Sequence, residues 1–170
     1  IRSLIAAPLL LALALPILPA LPTTPAFAQA ACEDSVRDYG ANPNDNAPDD
    51  AGFQRAIAQT NAAVLCVPAK KPGGPGYLIK NPIVVDRNLT LRGAGPASLI
   101  RAYKGAKPTS FVRLLADGAA LRDLRLHGWS LTRGYAAIDV RGASDISIEG
   151  VSLRGFIRGI YLHDAADFLV

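Results

Sequence analysis

Alternation of apolar and polar residues is the main pattern of the chain, and it predicts short strands. The order apolar, polar, apolar, polar, glycine occurs at residues 89–93, 124–128 and 151–155. Each copy is typical of a strand that ends in a turn. The copies begin about 35 and then 27 residues apart, which indicates a repeat whose unit is one supersecondary element.

Other short apolar runs surround these copies, and none of them continues into a long helical pattern. They lie at residues 64–67, 77–79, 83–85, 98–101, 111–115, 121–126, 137–140, 146–153, 159–162 and 168–170. Strands without intervening helices do not fit βαβ units. They predict an all-β fold, a parallel β-helix (a solenoid) whose coils each contribute three short strands. The run at 168–170 reads as a strand in progress, so we expect the coils to continue after residue 170.

Two local alignments extend the repeat. Residues 138–142 match 160–164 at a spacing of 22, and residues 121–128 match 148–155 at a spacing of 27. The difference falls in one connection, residues 129–136. Stacked coils tolerate insertions there because loops lie outside the core.

The same register assigns an inner and an outer face. Inside, we expect two apolar stacks, Leu89 with Leu124 and Val151, and Leu91 with Leu126 and Leu153. Outside, we expect Thr90, Arg125 and Ser152 to align, and Arg92, His127 and Arg154 to form a basic column. On another face Asp139 should lie beside Tyr161, and Arg141 beside His163. The substrate-binding candidates are therefore Arg92, Arg125, His127, Arg154, Asp139, Arg141, Tyr161 and His163. The alternative is that these side chains are simply solvated.

His163 and Asp164 form the one candidate acid–base pair of this region. Neighbouring residues on a strand point to opposite faces, so we do not expect them to act together. Asp164 is instead expected to begin a turn.

A short amphipathic helix precedes the strands. Phe53, Ala56 and Ile57 recur at helical spacing and predict a helix over about 50–61. Asp49 or Asp50 occupies the N-cap position, after a turn-rich segment at 42–50.

The first 30 residues predict a secretory signal peptide. The segment 9–15 is a short apolar run, and Ala26, Phe27 and Ala28 form a small-x-small cleavage site, with cleavage expected after Ala28 or Ala30. The alternative is a membrane helix, but four prolines interrupt the apolar run. The sequence therefore predicts a secreted or periplasmic protein with no transmembrane segment in the mature part, residues 31–170.

The charge distribution indicates a binding partner, and the cysteine content indicates a disulfide. Residues 87–170 carry twelve Lys or Arg against seven Asp or Glu. An exported protein with a basic repeat region favours an acidic polysaccharide as partner, and nucleic acid is not expected. Cys32 and Cys66 are a candidate disulfide in an oxidising compartment, two free thiols being the alternative. They do not complete a metal site.

The N-terminal block resembles the pectate-lyase superfamily, which includes rhamnogalacturonase-like and epimerase-like enzymes and phage tailspikes. The resemblance covers about residues 36–100 and rests on these segments: 38–41, Asp45, Asp49 and Asp50, 53–57, 65–68 and 77–79. Asn44 and Asn46 stand where glycine is usual, and asparagine tolerates the same left-handed turn.

This resemblance implies a right-handed parallel β-helix whose N-terminal helix caps the open end of the coil. Gly40, Asp45, Asp49 and Asp50 are then turn or cap residues, and Asp49 and Asp50 are not a catalytic pair. The catalytic acids of such enzymes lie on central coils. The sequence contains no epimerase or polygalacturonase catalytic motif and no calcium-binding aspartate cluster of the lyase type, so no cofactor is evident, although a lyase could use Ca²⁺.

Two functions follow as hypotheses. The first is a lyase, glycoside hydrolase or C5-epimerase acting on an acidic polysaccharide. The second is a non-catalytic β-helix that binds carbohydrate or serves a surface or structural role. A tailspike-like trimer is a further alternative, which the signal peptide disfavours.

Overall fold

The computed structural model describes residues 32–106, 108–128 and 136–170. The predicted signal peptide lies outside the described residues, as does most of the 129–136 connection. No helix within the described part of the chain is long and apolar enough to span a bilayer.

Fourteen short strands and one α-helix make up the described fold. The helix α1 is Asp50–Gln59, and two 3₁₀ helices lie at Val36–Tyr39 and Gly95–Ala97. The strands are β1 (Asp34–Ser35), β2 (Val64–Val67), β3 (Tyr77–Ile79), β4 (Ile83–Val85), β5 (Thr90–Gly93), β6 (Leu99–Ala102), β7 (Ser110–Leu114), β8 (Ala120–Arg122), β9 (Arg125–His127), β10 (Ala136–Arg141), β11 (Ile146–Glu149), β12 (Ser152–Arg154), β13 (Arg158–His163) and β14 (Phe168–Leu169).

The strands form three parallel sheets, which confirms the predicted β-helix. Sheet A has the order β1-β2-β5-β8-β11-β14, sheet B the order β12-β9-β6-β3, and sheet C the order β13-β10-β7-β4. The chain visits the sheets in turn, so that each strand pairs with its counterpart one coil away. Every described pairing is parallel.

The core is a continuous column of apolar side chains inside the coil. In sheet A, Leu65 stacks on Leu91, which stacks on Leu121 and then Ile148. All four are at least 96% buried. This regular stacking removes a large apolar area from water, and burial of that area is the main stabilising contribution.

The three-copy stack predicted from the repeated motif is wrong in its first member. The copy at 89–93 forms β5 of sheet A, whereas the other two copies form β9 and β12 of sheet B. Leu126 stacks on Leu153 as predicted, but its neighbour on the other side is Ile100. Thr90 likewise aligns with Val64 and Ala120 instead of Arg125.

The predicted strands at 121–126 and 146–153 are each divided into two. Asp123 and Gly150 interrupt them with positive φ angles of 53° and 63°. The left-handed conformation turns the chain sharply, from sheet A into sheet B. The alignments at spacings of 22 and 27 are confirmed, since Ile138 pairs with Ile160 and Leu121 pairs with Ile148.

Helix α1 caps the first coil through side chains that bond edge strands. The Gln54 amide donates to the Val84 carbonyl at 3.1 Å and accepts the Val84 amide at 2.6 Å, which satisfies the edge of sheet C. Asp49 accepts the amide of Leu78 at 2.7 Å on the edge of sheet B, and the amide of Asn42 at 2.6 Å. Phe53 of the same helix is fully buried. The helix therefore covers both the apolar cross-section and the unpaired backbone of the open end.

The cap roles differ in detail from the prediction. The helix ends at Gln59, and Asp49 occupies the N-cap position without a side-chain bond to the helix. Asp50 instead binds the Lys80 amide and the Asn81 side chain. Asp45 accepts the Ala47 amide in the preceding turn, and Gly40 ends the first 3₁₀ helix with a φ of 93°.

Because Asp49 is buried, we expect the stability of the fold to depend on pH. Its carboxyl is 2% exposed, and burial raises its pKa to about 6, against the opposing effect of the Asn42 and Leu78 amides. Because the pKa of Asp49 is higher in the folded state, its protonation contributes stability that is fully present below the unfolded-state pKa of about 4. This contribution is lost as the pH rises through about 6. We expect the free energy of unfolding, measured relative to Asp49→Asn, to fall by on the order of 2 kcal/mol between pH 4 and 7. Urea titrations of both proteins check this, and an advantage of Asp49 that grows with pH contradicts it.

Close packing around Gly93, the last residue of β5, leaves no room for a side chain. A Cβ added there would overlap the carbonyl oxygen of Asp123 and lie 2.8 Å from Ser98 Cβ. Gly93→Ala is expected to lower the free energy of unfolding by about 2–3 kcal/mol, because packed backbone cannot move aside cheaply. Gly159→Ala is the control, since its φ lies outside the left-handed range and its Cβ would meet, within 4 Å, only the flexible end of the Leu153 side chain at 3.3 Å. Equal losses in chemical denaturation would show that close packing is not the reason for Gly93.

Candidate functional site

The outer face of sheet C gathers most of the chemically active side chains. The pairing places Arg113 beside Asp139, and Asp139 beside Tyr161 on the next coil. Arg141 pairs with His163 in the same register. The neighbouring positions Ile138 and Val140 are fully buried in the core, so strand alternation turns Asp139 and Arg141 outward. We call the residues Arg113, Asp139, Arg141, Arg158, Tyr161, His163 and Asp164 the sheet C cluster.

Asp139 is the centre of the sheet C cluster. Its side chain is 5% exposed, and Arg141 Nε lies 2.9 Å from Oδ1 and 3.0 Å from Oδ2. Arg113 Nε lies 3.7 Å from Oδ2 on the other side. The Asp139 hydrogen bond, and then its charge, hold the pKa of Arg141 above the ordinary value. Two cations therefore face one buried anion, which fixes both guanidinium groups and leaves the cluster with excess positive charge.

Tyr161 is surrounded by cations. The guanidinium carbons of Arg141 and Arg158 lie 6.0 and 5.6 Å from the centre of its ring. The His163 ring stacks on it, with centroids 6.5 Å apart and planes inclined by 22°. These distances suit cation–π attraction. The arrangement presents an aromatic ring and several cations on one accessible surface.

His163 and Asp164 form a close pair, contrary to the sequence-based prediction. His163 Nδ1 lies 3.0 Å from Asp164 Oδ2, and both side chains are exposed. The strand ends at His163, and Asp164 adopts a φ of 50°. Alternation of faces holds only within a strand, so the turn brings the carboxylate back to the imidazole. Asp164 thus begins a turn, as predicted, and also orients His163.

The predicted basic column is partly wrong. His127 and Arg154 pair as neighbours in sheet B, but Arg101 takes the place assigned to Arg92. Arg92 lies in sheet A beside Cys66 and Arg122, with its Nε 4.0 Å from Asp123. The cause is the misplaced first motif copy: a strand followed by glycine occurs in more than one sheet.

Sequence reasoning missed Arg113, Arg158 and Arg101. Aligning the run at 111–115 with 137–140 would have placed Arg113 beside Asp139, as the pairing of β7 with β10 has it. Arg158 and Arg101 carry no comparable signal, because strand ends and loop lengths decide their neighbours.

A disulfide joins Cys32 and Cys66, whose Cα atoms lie 5.7 Å apart. It ties the chain before β1 to β2 of sheet A. Among the described residues no group of three or more His, Cys, Asp or Glu side chains could hold a metal ion.

These coils, with their capped end, define a parallel β-helix, and comparison with known proteins supports that class. The A-modules of the mannuronan C-5 epimerases AlgE6 and AlgE4 from Azotobacter vinelandii match with a TM-score of 0.64 each, at 20% and 23% identity. Each match covers 80% of this chain and 41% or 42% of the other. An α-1,3-glucanase catalytic unit from Streptomyces thermodiastaticus matches with a TM-score of 0.50 and 19% identity, over 80% of this chain and 30% of that one.

The chain thus spans less than half the length of each of these structures. At such identities the likeness establishes the fold. No protein-family model matches the sequence, and no curated protein matches it.

Proposed function

We propose that the protein binds a uronic-acid polysaccharide across the outer face of sheet C. The observation that carries this is the sheet C cluster: Arg141 and Arg158 face the ring of the half-buried Tyr161, and the buried carboxylate of Asp139 holds Arg141 and Arg113. Guanidinium groups bind sugar carboxylates through paired hydrogen bonds, and an aromatic ring packs against the apolar face of a sugar. The two epimerases similar in fold act on mannuronan, as their names state, which supports a polysaccharide ligand.

The same face carries groups for removing the proton at C5 of a uronate. His163, oriented by Asp164, takes that proton on Nε2, and an arginine of the cluster stabilises the charge that develops on the carboxylate. In a lyase reaction the C5 electron pair forms a C4–C5 double bond, the C4–O bond breaks, and the leaving oxygen receives a proton from Tyr161. In an epimerase reaction solvent water returns a proton to C5 from the side that faces away from the sheet, and His163 releases its proton to solvent.

Proton abstraction fits this face better than hydrolysis. Hydrolysis needs one carboxylic acid that stays protonated and a second carboxylate at about 5–9.5 Å. Asp139 is buried against two arginines, and Asp164 contacts His163, so neither carboxyl group is placed as a separate acid across a glycosidic bond. These are the carboxylates that the described part of the cluster offers.

Export of the protein is part of the proposal. The apolar N-terminal segment and the Cys32–Cys66 disulfide both support an oxidising compartment outside the cytoplasm. Extracellular or periplasmic polysaccharide would then be accessible to the protein.

Incubation with polymannuronate, polygalacturonate and neutral dextran in D₂O tests the function. Absorbance of unsaturated uronate reports a lyase, and deuterium at C5 without chain cleavage reports an epimerase. Retained binding of a uronate polymer with neither product assigns a non-catalytic binding protein. Equal behaviour toward the uronate polymers and dextran would overturn the proposal.

A further inference from the structure

Sheet B carries a second cationic surface on a different side of the coil. Successive coils align Arg101 with His127 and His127 with Arg154, and Arg125 lies two positions before His127 on β9. Leu126, between Arg125 and His127, is fully buried, so alternation turns both neighbours outward. We call Arg101, Arg125, His127 and Arg154 the sheet B strip.

Two cations of the strip, Arg125 and Arg154, have no acidic partner among the described residues that corresponds to Asp139 in the sheet C cluster. No described acidic side chain lies within ion-pair distance of Arg125 or Arg154. The Nε of Arg125 is buried without a hydrogen-bond partner among the residues that the structure describes. Burial lowers the pKa of His127, and repulsion by Arg101, Arg154 and Arg125 lowers it further. A surface of this kind attracts anions, because a bound anion offsets the repulsion between cations that are held close together.

A pocket extends the strip toward the capped end of the coil. It has a volume of about 340 Å³ and is lined by Asn46, Pro75, Leu78, Arg101, Ala102, Tyr103 and Lys104. Lys80 Nζ lies 4.5 Å from the centre of the Tyr103 ring. The pocket combines an aromatic ring with cations, and its volume is large enough for a small ligand such as one sugar ring.

The spacing of the strip determines the shape of the ligand. Paired strands lie about 4.8 Å apart, so cationic side chains on three successive coils repeat at that interval along the coil axis. A single small anion meets only part of such a row, whereas an extended polymer with regularly repeated charges meets all of it.

We propose that the sheet B strip is a second binding site for an anionic polysaccharide, which lies along the coil axis with one sugar in the Tyr103 pocket. The proposal goes beyond the function assigned to sheet C, because it requires neither the sheet C cluster nor any reaction. Carboxylated and sulfated polysaccharides share the chemistry that the strip recognises.

Calorimetric titration with polygalacturonate, dextran sulfate and neutral dextran tests the strip. The double variant Arg125→Gln, Arg154→Gln removes two of its charges, and Arg37→Gln, Arg122→Gln is the control with the same net charge. Arg37 lies on the first 3₁₀ helix and Arg122 on sheet A, outside both surfaces. We expect the strip variant to bind polyanion about tenfold more weakly than the control. The variant Arg125→Lys, Arg154→Lys should lie between them, because lysine keeps the charge but not the planar guanidinium.

Each outcome decides the proposal. If the strip variant binds both polyanions more weakly, the strip accepts carboxylated and sulfated polysaccharides alike. If only polygalacturonate or only dextran sulfate binds more weakly, the ligand is a carboxylated or a sulfated polysaccharide, respectively. All three results support the proposal. Equal affinity of strip variant and control for both polyanions overturns it. Arg154→Gln alone, at an exposed position, gives the same test if the double variant does not fold.

Discussion

Replacing His163 with Gln is expected to lower the rate of product formation on a uronate polymer by about 10²- to 10⁴-fold. The glutamine side chain can still hydrogen-bond but cannot take a proton at neutral pH. Polymer affinity should change little, because the arginines that bind the carboxylates remain. Initial rates and a titration on the same preparations separate the two effects.

Asp164→Asn and Arg122→Gln complete this test. Asp164→Asn keeps the imidazole but removes the carboxylate that lies 3.0 Å from Nδ1 and orients the ring, so we expect a smaller loss of rate than for His163→Gln. Arg122 also pairs with a carboxylate, Glu149 at 3.0 Å, but on sheet A, so its variant should keep the full rate. A His163→Gln protein with unchanged rate would remove His163 from the mechanism.

Removing the Cys32–Cys66 disulfide is expected to lower the free energy of unfolding by about 3–4 kcal/mol. The bond closes a loop with a sequence separation of 34, and its loss gives the unfolded chain more conformational freedom. The double variant Cys32→Ala, Cys66→Ala avoids a buried unpaired thiol, since Cys66 is 4% exposed. Urea unfolding of the variant and of the oxidised protein measures the difference.

Reduction of the unmodified protein provides an independent check. The reduced protein and the double variant should unfold at similar urea concentrations, both below that of the oxidised protein. A double variant as stable as the oxidised protein would show that the bond does not constrain the unfolded chain.

The strand pattern was sufficient to predict the class of fold and much of the register. Alternation identified nearly every strand, and the alignment of residues 138–142 with 160–164 placed Asp139 beside Tyr161. That alignment worked because neighbouring coils have nearly the same length there, so equivalent residues recur at a constant spacing.

The predicted stacking partners were wrong where the same sequence pattern occurs in more than one sheet. The motif at 89–93 has the same pattern as the later copies, yet it belongs to sheet A, because each coil contains several strands that end in tight turns. The turns at Asp123 and Gly150 were missed because their left-handed conformation is not visible in apolar alternation.

Other contacts depend on geometry that the pattern does not contain. The side-chain amide of Gln54 completes the edge of sheet C, a contact that the helical spacing of Phe53, Ala56 and Ile57 does not indicate. Strand alternation predicted that the side chains of His163 and Asp164 point to opposite faces. The positive φ angle of Asp164 instead brings the two side chains together.

An amide chemical-shift titration with a uronate tetrasaccharide, and with a neutral tetrasaccharide as control, tests the binding face most directly. We expect the uronate to shift the amides of residues 139–141 and 158–164, which lie on sheet C and its following turn, and the neutral sugar to leave them unchanged. Uronate-induced shifts confined to other parts of the coil, or equal shifts with both sugars, would contradict it.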